Sequence, residues 1–308
     1  MTFEKRDTGL GIRPKPIFVL TQDISEEKMF KSLHAYLECG YITKNKTCVS
    51  LYITSLAALS KVLFPILDKY PLKYGKLSAY LIFKNIVEQM LNKNHLNLEG
   101  LIDIINQTFK LNAETARRTD ASKDNLIKFL QSKHGKLPEP ISKTMQLRLE
   151  DTQESLALDF VAGLIDGDGS FNITFQIKPH RRVRVNFTVI QETSCKNLLN
   201  ELKSYFSCGN VYDLPSASSR FQVEKVDLIL SNIRPILDRV KLNTYKANMY
   251  TILIKVCELI KTNGYKTDDA FREIVELAYD SNKKGKRRRI TKEEFIKKIY
   301  QGDYSNIV

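Results

Sequence analysis

The sequence predicts an α+β fold of two pseudo-symmetric halves, each built on an antiparallel sheet, with the first half truncated at its N-terminus. Three observations predict it. The chain repeats itself with a period near 170 residues, both copies carry strand-like alternation, and one apolar run ending in two acids occurs in the second copy only. The expected organisation is a first repeat over 1–130, a linker over 131–150 and a complete second repeat over 151–308.

The repeat is the firmest of the three. Gln22–Ile42 (QDISEEKMFKSLHAYLECGYI) aligns without a gap on Gln191–Val211 (QETSCKNLLNELKSYFSCGNV) at an offset of 169. The matches include Gln22/Gln191, Tyr36/Tyr205, Cys39/Cys208 and Gly40/Gly209. The offset then becomes 170, giving PILD at 65–68 and 235–238, Lys76/Lys246 and Tyr80/Tyr250, and further on Arg117/Arg287 and Arg118/Arg288. A single slip over so long a stretch marks an internal duplication.

Within the second copy, Arg182 to Val189 alternates. Val183, Val185, Phe187 and Val189 share one face, and Arg182, Arg184, Asn186 and Thr188 share the other. Such a run reads as a half-buried strand with a basic outer face. Phe171 to Lys178 alternates likewise, turning Asn172, Thr174, Gln176 and Lys178 outward. A Pro-Ser turn follows at 214–219, after which Arg220 and Gln222 point out and Phe221 and Val223 point in. Helical spacing is expected over 195–206 and 244–261. In copy one, Arg13, Lys15, Ile17 and Val19 are the register partners of Arg182, Arg184, Asn186 and Thr188. Both copies therefore offer cations on the same strand face, with amides and hydroxyls alongside in copy two, which is the chemistry of a duplex-binding surface.

Bulk properties narrow the class. With 43% apolar residues the chain can build an ordinary core, and a net charge of +13 favours a polyanionic partner, DNA or RNA before a membrane surface. No stretch reaches 18 apolar residues, so no membrane span is expected. The N-terminus does not read as a signal or transit peptide. Five cysteines without a CxxC pair argue against a disulfide framework or a zinc site. The absence of a GxxxxGK[ST] loop argues against ATP-dependent enzymes. Abundant Lys, Asn and Ile with no Trp point to an AT-rich organellar genome, mitochondrial ahead of chloroplast.

Leu158–Phe171 (LDFVAGLIDGDGSF) carries the chemistry. Its apolar run reads as a buried helix, and Gly163 and Gly167, four apart, would let a second helix backbone come close. Asp166 and Asp168 fall at the C-terminal end of that helix, where the dipole disfavours acids. A compensating cation is expected, with Mg2+ the natural candidate for carboxylate and water ligands.

FVAGLIDGDGSF resembles the motif of the LAGLIDADG homing endonucleases at nearly every position, and the downstream Gln, Tyr-x-x-Cys-Gly and L-x-x-x-K features are similar to that family too. The resemblance implies two α/β halves packed through paired motif helices, their sheets saddling the DNA major groove. It implies metal-dependent hydrolysis of double-stranded DNA by a monomer in intron homing, with Asp168 as the metal-binding acid and Asp166 structural. Gln191 and its repeat partner Gln22 would be active-site glutamines. Lys246 and Lys76, with Lys73 as an alternative in copy one, would be the lysines that stabilise developing charge or order solvent. The basic run KKGKRRR, with Arg287 and Arg288, would contact the DNA backbone, and Arg181 in HRRVR at 180–184 would add affinity.

One departure stands out. The partner of Asp168 would fall before Met1, and copy one is read as starting at its second strand, without the motif helix and first strand. Three readings stay open. The frame continues upstream into a preceding exon, or Asp168 pairs with that of a second copy, or cleavage has been lost and the chain is a maturase that binds intron RNA in mRNA splicing. A DNA-binding regulator on the same fold is a remoter class.

Overall fold

A computed structural model describes residues 1–111, 119–138, 155–176, 180–262, 264–281 and 290–301. The chain forms two compact units, Met1–Thr152 and Gln153–Val308.

Unit 1 opens with β1 (Thr2–Lys5) paired antiparallel to β2 (Ile12–Lys15). From sequence, copy one lacks its first strand, and β1 corrects this. Thr2, Phe3 and Glu4 lie opposite Lys15, Pro14 and Arg13, as Thr174, Phe175 and Gln176 lie opposite Arg184, Val183 and Arg182 in unit 2. The strand escapes a gap-free alignment because eight residues separate Glu4 from Arg13, against five between Gln176 and Arg182. Pro16 has no N–H to donate to a ladder, and pairing stops there. Beyond it, β3 (Phe18–Asp23), β4 (Tyr41–Lys44) and β5 (Cys48–Ile53) form a sheet in the order β3-β5-β4.

Helix α1 (Glu27–Leu37) joins β3 to β4 and buries Phe30 and Leu37 against Val49, Leu51 and Ile53 of β5. The one-turn helix α2 (Leu56–Ala58), a π-type turn (Leu59–Leu63) and α3 (Phe64–Lys69) lead to the long helix α4 (Tyr74–Leu91), which completes this core with Phe83, Ile86 and Val87. A second cluster holds Ile12 of β2 against α5 (Leu98–Lys110) and α6 (Asp120–His134), through Leu101, Ile105 and Leu130. Helix α6 runs through His134, so the expected linker is helical over 131–134, and 139–150 lies outside the described residues.

Unit 2 begins with α7 (Leu158–Asp168), which runs straight into β6 (Gly169–Gln176). Strands β7 (Arg182–Glu192), β8 (Asn210–Leu214) and β9 (Ser218–Val223) complete a four-stranded antiparallel sheet in the order β6-β7-β9-β8. Here β7 is one unbroken strand, where unit 1 has two pieces. Under the sheet lies α8 (Lys196–Phe206), and an aromatic stack fixes the layers, with Phe187 against Phe171, Phe206 and Phe221 at centroid distances of 5.0, 5.9 and 6.0 Å. The one-turn helix α9 (Val226–Leu228), a π-type turn (Ile229–Ile233), α10 (Arg234–Leu237), α11 (Lys246–Thr262), α12 (Asp268–Ser281) and α13 (Lys292–Gln301) follow. None of the described helices is long and apolar enough to cross a membrane.

The duplication reaches single interactions. The Tyr80 hydroxyl donates to Asp68 at 2.6 Å, and Tyr250 to Asp238 at 2.5 Å. The Cys-Gly turn is also shared, with φ of 83° at Gly40 and 86° at Gly209. A side chain at Gly209 would adopt a left-handed φ and bring its Cβ to 2.5 Å from Phe221 Cε2. Gly209→Ala should therefore cost about 1–3 kcal/mol of stability, read as a lowered urea midpoint at unchanged slope.

Candidate active site and nucleic-acid interface

Helix α7 buries Val161, Ala162 and Ile165 and leaves Gly163 and Gly167 facing open space, where a Cβ would meet nothing within 4 Å. Its last turn presents bare carbonyls, as every helix C-terminus does. The Lys246 ammonium meets three of them, Ile165 O at 3.2 Å, Asp166 O at 3.0 Å and Gly167 O at 2.7 Å. An ammonium has three N–H donors, and these carbonyls match them in number. A lysine of the chain itself thus places a cation at the negative pole of this helix. The resemblance implies that Lys246 stabilises developing charge or orders solvent; in the structure its ammonium lies on the carbonyls at the end of α7.

The two acids divide between fixing the turn and facing solvent. Asp166 accepts from the Asn243 backbone N–H at 2.8 Å, the Thr244 backbone N–H at 3.1 Å and the Thr244 hydroxyl at 2.6 Å. It ties the end of α7 to the loop that launches α11. Asn243 and Thr244 are missed from sequence, because two of the three donors are backbone groups. The one available hint is a Thr two residues before Lys246, where its hydroxyl also accepts the Lys246 N–H at 3.3 Å. Asp168, one residue before β6, is exposed and accepts from Gln191 Nε2 at 2.7 Å. The pairing of Gly169 with Val189 brings these two side chains together.

Unit 1 holds the repeat partners in different settings. Gln22 is half-buried on β3 opposite Val49. Lys76 is exposed in the first turn of α4, and Lys73, just before that helix, is half-buried and engaged. Among the described residues, no group of three or more His, Cys, Asp and Glu side chains comes together as a metal site.

On the outer face of the unit 2 sheet, Asn172, Thr174 and Gln176 lie directly opposite Asn186, Arg184 and Arg182. Arg182 and Arg184 are exposed, and Arg184 donates to Gln176 Oε1 at 2.9 Å. Arg220 and Gln222 share that face on β9. Arg220 buries its Nε without a partner, and Gln222 donates to Glu224. Arg181 is a correction. Its guanidinium turns back onto the helices, paired with Asp268 at 2.7 Å and lying 4.7 Å from the Phe271 ring centroid, so it braces α12 and is not offered outward. In unit 1, Arg13 is exposed and Lys15 is ion-paired to Glu4 at 2.7 Å. Lys178, Arg287 and Arg288 lie outside the described residues.

Comparison with known proteins bears on this arrangement. The family model described as LAGLIDADG endonuclease matches residues 2–87 and 161–257, one match in each unit. The chain is similar to the "Probable intron-encoded DNA endonuclease 1" of Mycosarcoma maydis, 35% identical over 254 residues that cover 82% of this chain and 91% of the relative. It is similar to the homing endonuclease I-ApeII of Aeropyrum pernix, at 29% identity over 46% of this chain and 88% of that one. Among solved structures, the LAGLIDADG homing endonuclease I-SmaMI bound to cleaved DNA superposes with a TM-score of 0.77 at 24% identity, over 92% of this chain and 91% of that one. The chain belongs to the LAGLIDADG endonuclease family.

The split between the two acids predicts opposite responses to substitution. Asp166→Ala strands three donors and should cost about 2–3 kcal/mol. Asp168→Ala, on an exposed carboxylate, should stay within about 0.5 kcal/mol of the parent. Thermal unfolding of the two variants side by side reads this difference.

Proposed function

We propose that this chain is a site-specific, metal-dependent endonuclease of double-stranded DNA that acts in intron homing. The observation that carries the reading is an exposed carboxylate, Asp168, held by Gln191 where the motif helix passes into a sheet with a cationic, amide-bearing outer face. Arg182 and Arg184 supply charge for phosphates, and Asn172, Thr174 and Gln222 supply donors and acceptors for base edges.

The donor set fits a hard divalent ion such as Mg2+. One carboxylate with an amide beside it leaves most of the coordination shell to waters and phosphate oxygens, as Mg2+ usually requires. When bound, such an ion polarises water and neutralises charge in phosphodiester hydrolysis. Gln191 steadies the Asp168 carboxylate. Lys246 and Asp166 keep the end of α7 from moving, so that Asp168 keeps its place at the sheet edge.

Cutting both strands calls for a second acid. On β3, Leu20 is the repeat partner of Val189, which is fully buried in unit 2, yet Leu20 is 39% exposed. A second motif helix would seat on this face. An organelle-encoded frame is part of the same proposal. A maturase role would use the basic sheets without Asp168.

Asp168→Asn should abolish cleavage, by a factor of 100 or more on the scale of a lost catalytic group, and leave DNA affinity within a few-fold. Cleavage that survives this change would remove Asp168 from the metal site. Arg184→Ala should weaken binding and, if the contact is to phosphate, lower the slope of log affinity against log salt by about 0.9. Titrations at several salt concentrations measure both effects.

A further inference from the structure

The two sheets are equivalent in register but not in chemistry, and the difference is concentrated in two adjacent cross-strand rows. In unit 1, Val19 lies opposite Tyr52, and Tyr52 opposite Tyr41. In unit 2 the same row is Thr188, Gln222 and Asn210. Every position exchanges an apolar or aromatic side chain for a hydroxyl or amide. The next row reverses the pattern. Unit 1 has the hydroxyls of Thr21, Ser50 and Thr43, with Thr21 and Ser50 hydrogen-bonded at 2.8 Å, where unit 2 has Ile190, Arg220 and Tyr212.

The unit 1 row is open to solvent. Val19 is 44% exposed and Tyr41 50%, and the Tyr41 and Tyr52 rings stack at 5.5 Å with an interplanar angle of 10°. This makes a stiff ridge of one aliphatic side chain and two stacked rings, apolar but for the two phenol hydroxyls, with Arg13 and Lys15 earlier in the same register and hydroxyls on its other side. In unit 2 the guanidinium-bearing Arg220 stands between Ile190 and Tyr212, so no continuous ridge forms.

The DNA major groove displays one apolar feature among its base edges, the C5-methyl group of thymine. We propose that Val19, Tyr41 and Tyr52 are specificity-determining residues that recognise thymine in the half-site bound by unit 1 through that methyl group. At the equivalent row, unit 2 offers the amides of Gln222 and Asn210 instead, Thr188 being buried. Rows on one sheet face are about 7 Å apart, close to two base-pair steps, so the preference falls on one or two adjacent positions. The inference rests on the reading of the sheets as DNA-binding surfaces.

Uracil in place of thymine removes only the methyl group and makes the test direct. The full chain carrying Asp168→Asn, which prevents cleavage, selects duplexes from a randomised library, and each thymine of the selected site is then replaced by deoxyuridine. One or two positions in one half should lose roughly fourfold in affinity each, the value of one buried methyl. Val19→Thr combined with Tyr52→Gln, the residues that unit 2 carries at this row, should erase that loss at those positions, whereas Val19→Ile should keep it. All these side chains lie on the outer face, and thermal melting checks that the variants fold. If uracil is tolerated throughout, or the sensitivity survives Val19→Thr with Tyr52→Gln, the proposal is overturned while DNA binding stands. If no duplex is selected at all, the reading of the sheets falls and the proposal with it.

Discussion

The arrangement depends on how one helix ends. Helix α7 finishes in an electrostatically unfavourable way, with carbonyls lacking intrahelical partners and two acids at the negative pole of its dipole. Lys246 places its ammonium on three of those carbonyls, and Asp166 is drawn aside to organise the loop before α11. With the helix end satisfied in this way, Asp168 is left exposed at the point where helix becomes strand, with a single amide from Gln191 to hold it. A structural acid and an exposed one thus stand within three residues of chain.

The duplication shows how much of such a unit can be kept while its surface changes. The Tyr–Asp bonds, the positive-φ glycines and the π-type turns recur in both units. These are the parts that set backbone path and helix packing. The outer sheet faces have diverged. Glu4 stands where unit 2 has Gln176 and neutralises Lys15, and Pro16 divides a strand that is continuous in unit 2. Two units with one register and unlike outer faces can recognise unlike sequences.

Much of this was legible in the sequence, for physical reasons. Alternation along Arg182–Val189 reads out one buried face, and Phe187 and Val189 are indeed fully buried. The offset of the repeat paired Gln22 with Gln191 and Tyr80 with Tyr250 without any structure. Other features resist such reading. The acceptors of Lys246 are backbone carbonyls, which every residue carries, so their use leaves no mark in composition. The partner of Arg181 is Asp268, on a helix far along the chain, and a guanidinium beside a hairpin looks the same whether it turns outward or back onto an aromatic ring. Strand β1 was hidden by the longer loop between it and β2. The asymmetry of the outer rows becomes visible only once the cross-strand register is known.

On this reading Asp168, presented by a helix end whose carbonyls Lys246 holds, is the metal-binding acid of unit 2. The most direct test is anomalous diffraction from crystals of the full chain with its selected duplex and Mn2+. An anomalous peak is expected about 2.1 Å from an Asp168 oxygen, with the Lys246 ammonium still on the carbonyls at the end of α7. A peak elsewhere with Asp168 unligated, or a Lys246 released from those carbonyls to face the phosphate, would contradict it.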